Sequence, residues 1–127
     1  MGTILVVDDE PRIRQMLQQV LACQGHRVMH AGNGVEALLA MEMRIPDLLL
    51  LDMAMPEMDG ITFLRMMRQT PEWESIPVIL LSGFATMDQL FTAKELRCTE
   101  QLTKADFSIR DLRARVARNL APVALSA

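Results

Sequence analysis

The sequence predicts an α/β fold, a doubly wound parallel sheet of five strands with helices on both faces. Three observations predict it. Short apolar runs alternate with helical patterns five times along the chain, and strict β-α alternation implies parallel strands joined by right-handed crossovers. Two runs, Leu48-Leu49-Leu50-Leu51 and Val78-Ile79-Leu80-Leu81, are apolar at every position, as strands covered on both faces must be. The chain has 127 residues, half of them hydrophobic, enough for one such core and too few for two domains.

In chain order, Thr3 to Val7 is a short β-branched run ending at Asp8-Asp9-Glu10. Pro11 suits a first helical turn, and Ile13, Met16, Leu17, Val20 and Leu21 repeat at helical spacing until Gly25 closes the helix. His26 to Ala31 alternates like a half-exposed strand, and Gly32-Asn33-Gly34 turns into a second helix from Val35 to Met43. Four consecutive leucines suit a buried strand or a buried helix, and periodicity alone does not choose. Pro46 before them, with Pro56 and Gly60 after, chooses a strand ending at Asp52. Gly60 to Gln69 forms the third helix, with Ile61, Leu64 and Met67 on one face. Thr70 to Ser75 is a loop holding Trp73, the only tryptophan, at the rim opposite Asp52. Pro77 to Leu81 is the fourth strand, ending at Ser82-Gly83. A weaker helix over Met87 to Leu96 leads to a polar strand, Thr99 to Thr103, that reaches Lys104. The last helix spans Ser108 to Leu120, with Ile109, Leu112, Val116 and Leu120 inward. One domain over residues 1–120 and a short tail over 121–127 are expected.

Strand polarity orders the sheet. Strands one, three and four are apolar throughout and belong in the middle, while two and five are polar enough for edges. The flavodoxin-like order 2-1-3-4-5 meets that condition, and ligands of such sheets bind outside the carboxyl ends of the strands. At that rim strand one delivers Asp8 and Asp9, strand three Asp52, strand four Ser82 and strand five Lys104. Crowded carboxylates repel, so one stays protonated unless a cation joins them. Oxygen donors without His or Cys favour Mg²⁺. A central aspartate beside a hard cation, a lysine and a hydroxyl can accept a phosphoryl group: the carboxylate attacks phosphorus, cation and lysine neutralise its oxygens, and the hydroxyl donates a hydrogen bond. Each residue also has a plainer role. Asp8, Asp9 and Glu10 can cap the first helix, Asp52 can end a strand, Ser82 can serve a turn, and Lys104 can be a solvated surface residue. Singly those roles compete well; jointly they require four strands to place these types at one rim by accident.

Ile4-Leu5-Val6-Val7-Asp8-Asp9-Glu10, then Leu51-Asp52-Met53, Met55-Pro56-Glu57-Met58-Asp59-Gly60 and Pro77 to Gly83, together with Lys104, resemble the receiver domain of two-component response regulators over essentially the whole chain. The resemblance implies that Asp52 is phosphorylated by a histidine kinase or phosphotransfer protein, and that the domain signals to a downstream protein through altered binding. It implies Mg²⁺ held directly by Asp9 and Asp52, by Asp8 through water, and by the backbone carbonyl of Ala54. Ser82 is then the hydroxyl that moves toward the phosphoryl group, Lys104 pairs with that group, and Gly83 keeps the approach open. Two positions depart from the family pattern. Ala105 follows Lys104 where the family has a cis proline, so a trans bond is expected there, since a non-proline cis peptide costs about 3–4 kcal/mol. Gln101 stands where the family has a switch aromatic, which alters the output surface of the fourth helix, fifth strand and fifth helix. Phe107 is expected to anchor the shifted turn, and Phe84 to shield the site or pack beside it.

A net charge of −3 leaves no footprint for nucleic acid or an anionic membrane, and no apolar run approaches the ~18 residues of a membrane span. Without an apolar leader, a cytoplasmic protein is expected. Cys23 and Cys98 read as reduced, core-type thiols. His26 and His30 share one face of an edge strand, as polar edge residues rather than a metal pair. Arg110, Arg113, Arg115 and Arg118 make the last helix basic outside, a solvated face. Three functions compete: a stand-alone phosphoacceptor switch, whether a single-domain regulator or a piece of a longer protein; a phosphorylation-independent binding module on the same scaffold; and an aspartate-nucleophile phosphatase. The last lacks the second acid such enzymes place two residues after the nucleophile, where Ala54 stands, so no enzymatic turnover is expected.

Overall fold

The computed structural model describes residues 2–55, 57–83, 86–104 and 108–120, in which five strands and five helices alternate. They are β1 (Thr3–Val7), α1 (Pro11–Cys23), β2 (Arg27–Ala31), α2 (Gly34–Met43), β3 (Leu48–Asp52), α3 (Gly60–Arg68), β4 (Val78–Ser82), α4 (Met87–Glu95), β5 (Glu100–Thr103) and α5 (Ile109–Leu120). The strands pair in parallel in the order 2-1-3-4-5, as polarity predicted. Register carries the chemistry to one rim: Val7 lies beside Leu51, Asp52 beside Leu81, and Ser82 beside Thr103.

Alternation along β3 divides the core into two layers. Leu49 and Leu51 pack with Ala37 and Met41 of α2, with Phe63, Leu64 and Met67 of α3, and with Ala93 of α4. Leu48 and Leu50 face the other way, onto Leu17 and Leu21 of α1 and Leu112 and Val116 of α5. All five β3 residues are buried, which explains why no polar residue interrupts the strand before its last position. Local chemistry sets the helix ends. Pro11 opens α1, and Gly25 closes the following turn at φ 92°, a left-handed value that costs glycine little. Asn33, Asp59 and Thr86 cap α2, α3 and α4 by accepting the N–H groups of Glu36, Thr62 and Gln89, and Gln89 completes a capping box with Thr86.

Several expectations need correction. Ile109 was expected inward but is exposed, because it occupies the first turn of α5 at the rim, where the core has ended; Leu112 and Val116 carry the buried stripe and Leu120 is half-buried. Cys23 is exposed rather than in the core: two positions after Leu21, it points nearly opposite that buried side chain. Phe63 lies at the centre of the α3 stripe, with Ile61 only half-buried. His26 precedes β2 and turns its Nδ1 to accept the Gly2 N–H at 3.2 Å, while His30 is exposed. Trp73 packs half-buried under the end of the sheet away from Asp52. The tail over 121–127, Phe84, Phe107 and the Lys104–Ala105 bond lie outside the described residues. Among those described, no peptide bond is cis, and no helix is long and apolar enough to cross a membrane.

Candidate functional site at the carboxyl rim

The site begins where two buried strands run out. Asp8 follows β1 and Asp52 ends β3; they are the buried charged residues among those described, and each uses its carboxylate to close the turn after its strand. Asp8 Oδ1 accepts the Glu10 N–H at 2.8 Å, and Asp52 Oδ1 accepts the Ala54 N–H at 3.2 Å. Arg14 of α1 donates to the Asp8 carbonyl at 2.7 Å and holds that turn against the helix. Gly60 is required for the other wall. It opens α3 directly over the end of β3, and a Cβ there would collide with the Asp52 carbonyl oxygen and come within 2.8 Å of Met53 Cα.

Lys104 joins the strands. Its backbone N–H donates to the Ser82 carbonyl at 2.8 Å, which fixes the end of β5 against β4. Its ammonium lies 3.0 Å from Asp8 Oδ2, 3.2 Å from Asp52 Oδ2 and 2.8 Å from Glu10 Oε1. Of the predicted residues, Asp8, Asp52 and Lys104 are thus brought into direct contact. Asp9 is exposed, with a carboxylate oxygen in a group with those of Asp8 and Glu10 that spans 4.8 Å at most. Ser82 is half-buried at the end of β4, and open space surrounds the Cα of Gly83 where a side chain would project. Ala54 is exposed at the rim. Glu10 is the residue that sequence reasoning placed only as a helix cap. It does stand at the N-cap of α1, but its side chain makes no cap hydrogen bond and turns to Lys104 instead.

Electrostatics follow from burial. Loss of water pushes the Asp52 carboxyl up, the Asp8 charge and a hydrogen bond shared with Asp9 push further, and the Ala54 N–H and Lys104 only partly oppose them, leaving its pKa at about 7. Asp8 is raised as well, again first by burial. Burial alone would lower the Lys104 ammonium, yet its bonds to Glu10 and Asp8 and the charges of Asp8 and Asp52 together hold it above its ordinary value. The site is therefore short of positive charge. Lys104 donates to Asp8 Oδ1 and lies beside Oδ2 without a hydrogen-bonding alignment, so buried Oδ2 is left without a donor among the described residues. An unsatisfied buried carboxylate oxygen among oxygen-only donors fits a hard divalent cation such as Mg²⁺.

Comparison with known proteins agrees with this geometry. Residues 4–117 match the model of the response regulator receiver domain. Sporulation initiation phosphotransferase F of Bacillus subtilis is 37% identical, over 92% of this chain and 92% of its own. The KDP operon transcriptional regulatory protein KdpE of Escherichia coli is also 37% identical, over 91% of this chain but 50% of its own length. Among solved structures, chemotaxis protein CheY4 of Vibrio cholerae superposes with a TM-score of 0.87 at 29% identity, covering 94% of this chain and 99% of that one. The signal receiver domain of a histidine kinase from Syntrophus aciditrophicus gives 0.88 at 32% identity, covering 97% and 92%. With its five strands in the shared order and its acids and lysine gathered at one rim, this chain belongs to the response regulator receiver domain family.

Proposed function

We propose that residues 1–120 form a phosphoacceptor switch in which Asp52 takes a phosphoryl group from a histidine kinase or phosphotransfer protein in the cytoplasm and passes the signal by altered binding to a downstream protein. The observation that carries this reading is the pair of buried carboxylates, Asp8 and Asp52, bridged by one ammonium at 3.0 and 3.2 Å. Such a pair is costly to bury, and it lies where a central strand ends at the carboxyl rim, the place at which ligands of such sheets bind. An ionised Asp52 oxygen attacks the phosphorus of the donor; the new P–O bond forms as the bond to the donor's imidazole nitrogen breaks, and the imidazole leaves with the bonding pair. Lys104 holds one phosphoryl oxygen, and the Ser82 hydroxyl donates to another. Asp8, Asp9, Asp52 and the Ala54 carbonyl would hold Mg²⁺, which supplies further charge neutralisation at the phosphoryl oxygens when bound.

Incubation with Mg²⁺ and a small-molecule phosphoryl donor, followed by intact mass, tests the reading. One acid-labile phosphate per chain is expected, and none in Asp52→Asn. Release of many equivalents would mark a phosphatase instead. No incorporation would leave a phosphorylation-independent binding module, a reading that Gln101 favours: its amide donates to Cys98 Sγ at 3.6 Å, at the position where the resemblance leads one to expect an aromatic switch.

A further inference from the structure

Lys104 has no donor to spare. An ammonium carries three N–H groups, and in this structure three carboxylates surround it, with Glu10 the nearest at 2.8 Å. The three are not equivalent. Asp8 is fully buried, and losing the ammonium would strip the nearest positive charge from it. Asp52 is the residue proposed to carry the phosphoryl group. Glu10 has a side chain 60% exposed, against 12% for Lys104, so water can solvate its carboxylate once the ammonium leaves.

The Glu10 backbone is fixed on both sides. Its N–H donates to Asp8 Oδ1 at 2.8 Å, and its carbonyl accepts the Arg14 N–H at 3.0 Å as the first bond of α1. An acid at a helix N-cap is ordinarily explained by capping or by the helix dipole. Here the side chain makes no cap bond. It reaches across the rim to the end of β5, some ninety residues away in the chain. That contact joins the beginning of α1 to the loop after β5, directly over Asp52.

We infer that Glu10 is a positioning residue: it holds the Lys104 ammonium over the resting site and yields it to a phosphoryl group on Asp52. This rests on the phosphoacceptor reading and adds to it an exchange of partners. At rest, Glu10 and Asp8 keep the ammonium beside the Asp52 carboxylate. When the phosphoryl group arrives, its oxygens take the Glu10 share of the ammonium. Glu10 then turns to water, and the tie between α1 and the end of β5 is released. Arrival of the phosphoryl group is thereby felt at the start of α1 as well as beside β4 and β5.

The test uses the whole chain with Mg²⁺ and beryllium fluoride as a stable phosphoryl mimic. Carboxylate carbon shifts of Glu10 and Asp52 and the ammonium signal of Lys104 are followed by NMR. At rest, a slowly exchanging Lys104 ammonium is expected, and in Glu10→Gln it should broaden. On addition of the mimic, the Glu10 carboxylate should move to the shift of a solvated glutamate. Glu10→Gln should bind the mimic roughly two- to fivefold more tightly, since a half-exposed ion pair has been removed from competition. Glu57→Gln, which removes an exposed acid from the loop after Asp52, serves as the charge control and should change that affinity less. A response at Asp52 with the Glu10 carboxylate unmoved overturns the exchange and leaves the phosphoacceptor reading standing. Equal affinity gains in both variants overturn it too, by showing only a field effect. No response at Asp52 overturns both.

Discussion

At the scale of single residues, the site is defined by charges held where water is scarce. Asp52 has its pKa raised to about 7 by burial first and by Asp8 second, and this has a consequence for stability. In the unfolded chain the carboxyl ionises near pH 4, whereas in the folded one it resists ionisation until about pH 7. The folded state therefore binds more protons between those values, and stability falls as pH rises through that window. Without divalent metal, Asp52→Asn should raise the melting temperature more at pH 7.5 than at pH 5. The underlying gain is on the order of 2–4 kcal/mol at the higher pH, read from urea unfolding. An equal effect at both values would mean that Asp52 is ionised throughout. Glu57 offers a second residue-scale case. It holds φ at 71° in the loop after Asp52, a left-handed value that L side chains resist. Glu57→Gly should stabilise the protein by about 0.5–1 kcal/mol, the relieved strain exceeding the added freedom of the unfolded chain.

Elements position those residues by their ends. An aspartate directly follows β1 and another ends β3, and each accepts a backbone N–H two residues on, so each carboxylate is aimed by the turn that follows it. Helix α3 starts at Gly60 because β3 ends directly beneath it. Gly60→Ala should cost about 2–3 kcal/mol in denaturant unfolding, since backbone rather than a flexible side chain stands in the way. It should also lower phosphate incorporation at Asp52, because either α3 or the end of β3 must shift. At the other rim Arg68, the last residue of α3, donates to the carbonyls of Glu74, Ile76, Leu96 and Arg97 and ties the loop before β4 to the turn after α4. Burial lowers its pKa, yet an arginine stays charged at any ordinary pH. Glu100 of β5 accepts from Arg115, Arg118 and Asn119 of α5 and pins that helix to the edge strand; of the arginines expected on a solvated face, Arg118 stays exposed while making this contact and Arg115 is half-buried by it. Helix α4 is held least: Ala93 is its one buried residue, and Met87 and Phe91 are 80% and 64% exposed.

For the molecule as a whole, two apolar layers on one sheet separate the chemical rim from the structural one. The parallel strands run from the Trp73 end to the Asp52 end, so β4 alone, at about 3.3 Å per residue, keeps the indole on the order of 15 Å from the acids. Trp73 packs into the layer shared by α2, α3 and α4, half-buried and away from any metal ligand proposed here. Its emission should therefore stay constant when Mg²⁺ is titrated into the protein, while amide signals of Asp8, Asp9 and Asp52 shift. Strong quenching would show that binding reorganises the core as far as the opposite rim.

What the sequence by itself determined is what depends on periodicity and strand polarity. Once Pro46, Pro56 and Gly60 choose strand over helix for Leu48 to Leu51, that run and Val78 to Leu81 belong at the centre of a parallel sheet, and that placement sets the order and the rim on which Asp8, Asp52, Ser82 and Lys104 stand. Element ends were legible to within a residue or two, because proline and glycine act locally. Tertiary structure alone decided which side chains meet across distant segments. Glu10 looks like a helix cap in its own neighbourhood and becomes a partner of Lys104 only when β5 is laid beside β4 and β1 beside β3. Ile109 fits the helical stripe but falls beyond the core, and Gly60 fits a loop signal but answers to the strand beneath it. Hydrophobic pattern repeats along the chain and can be read there. The contacts of an ammonium or a Cβ depend on distances that come into being only when the sheet closes.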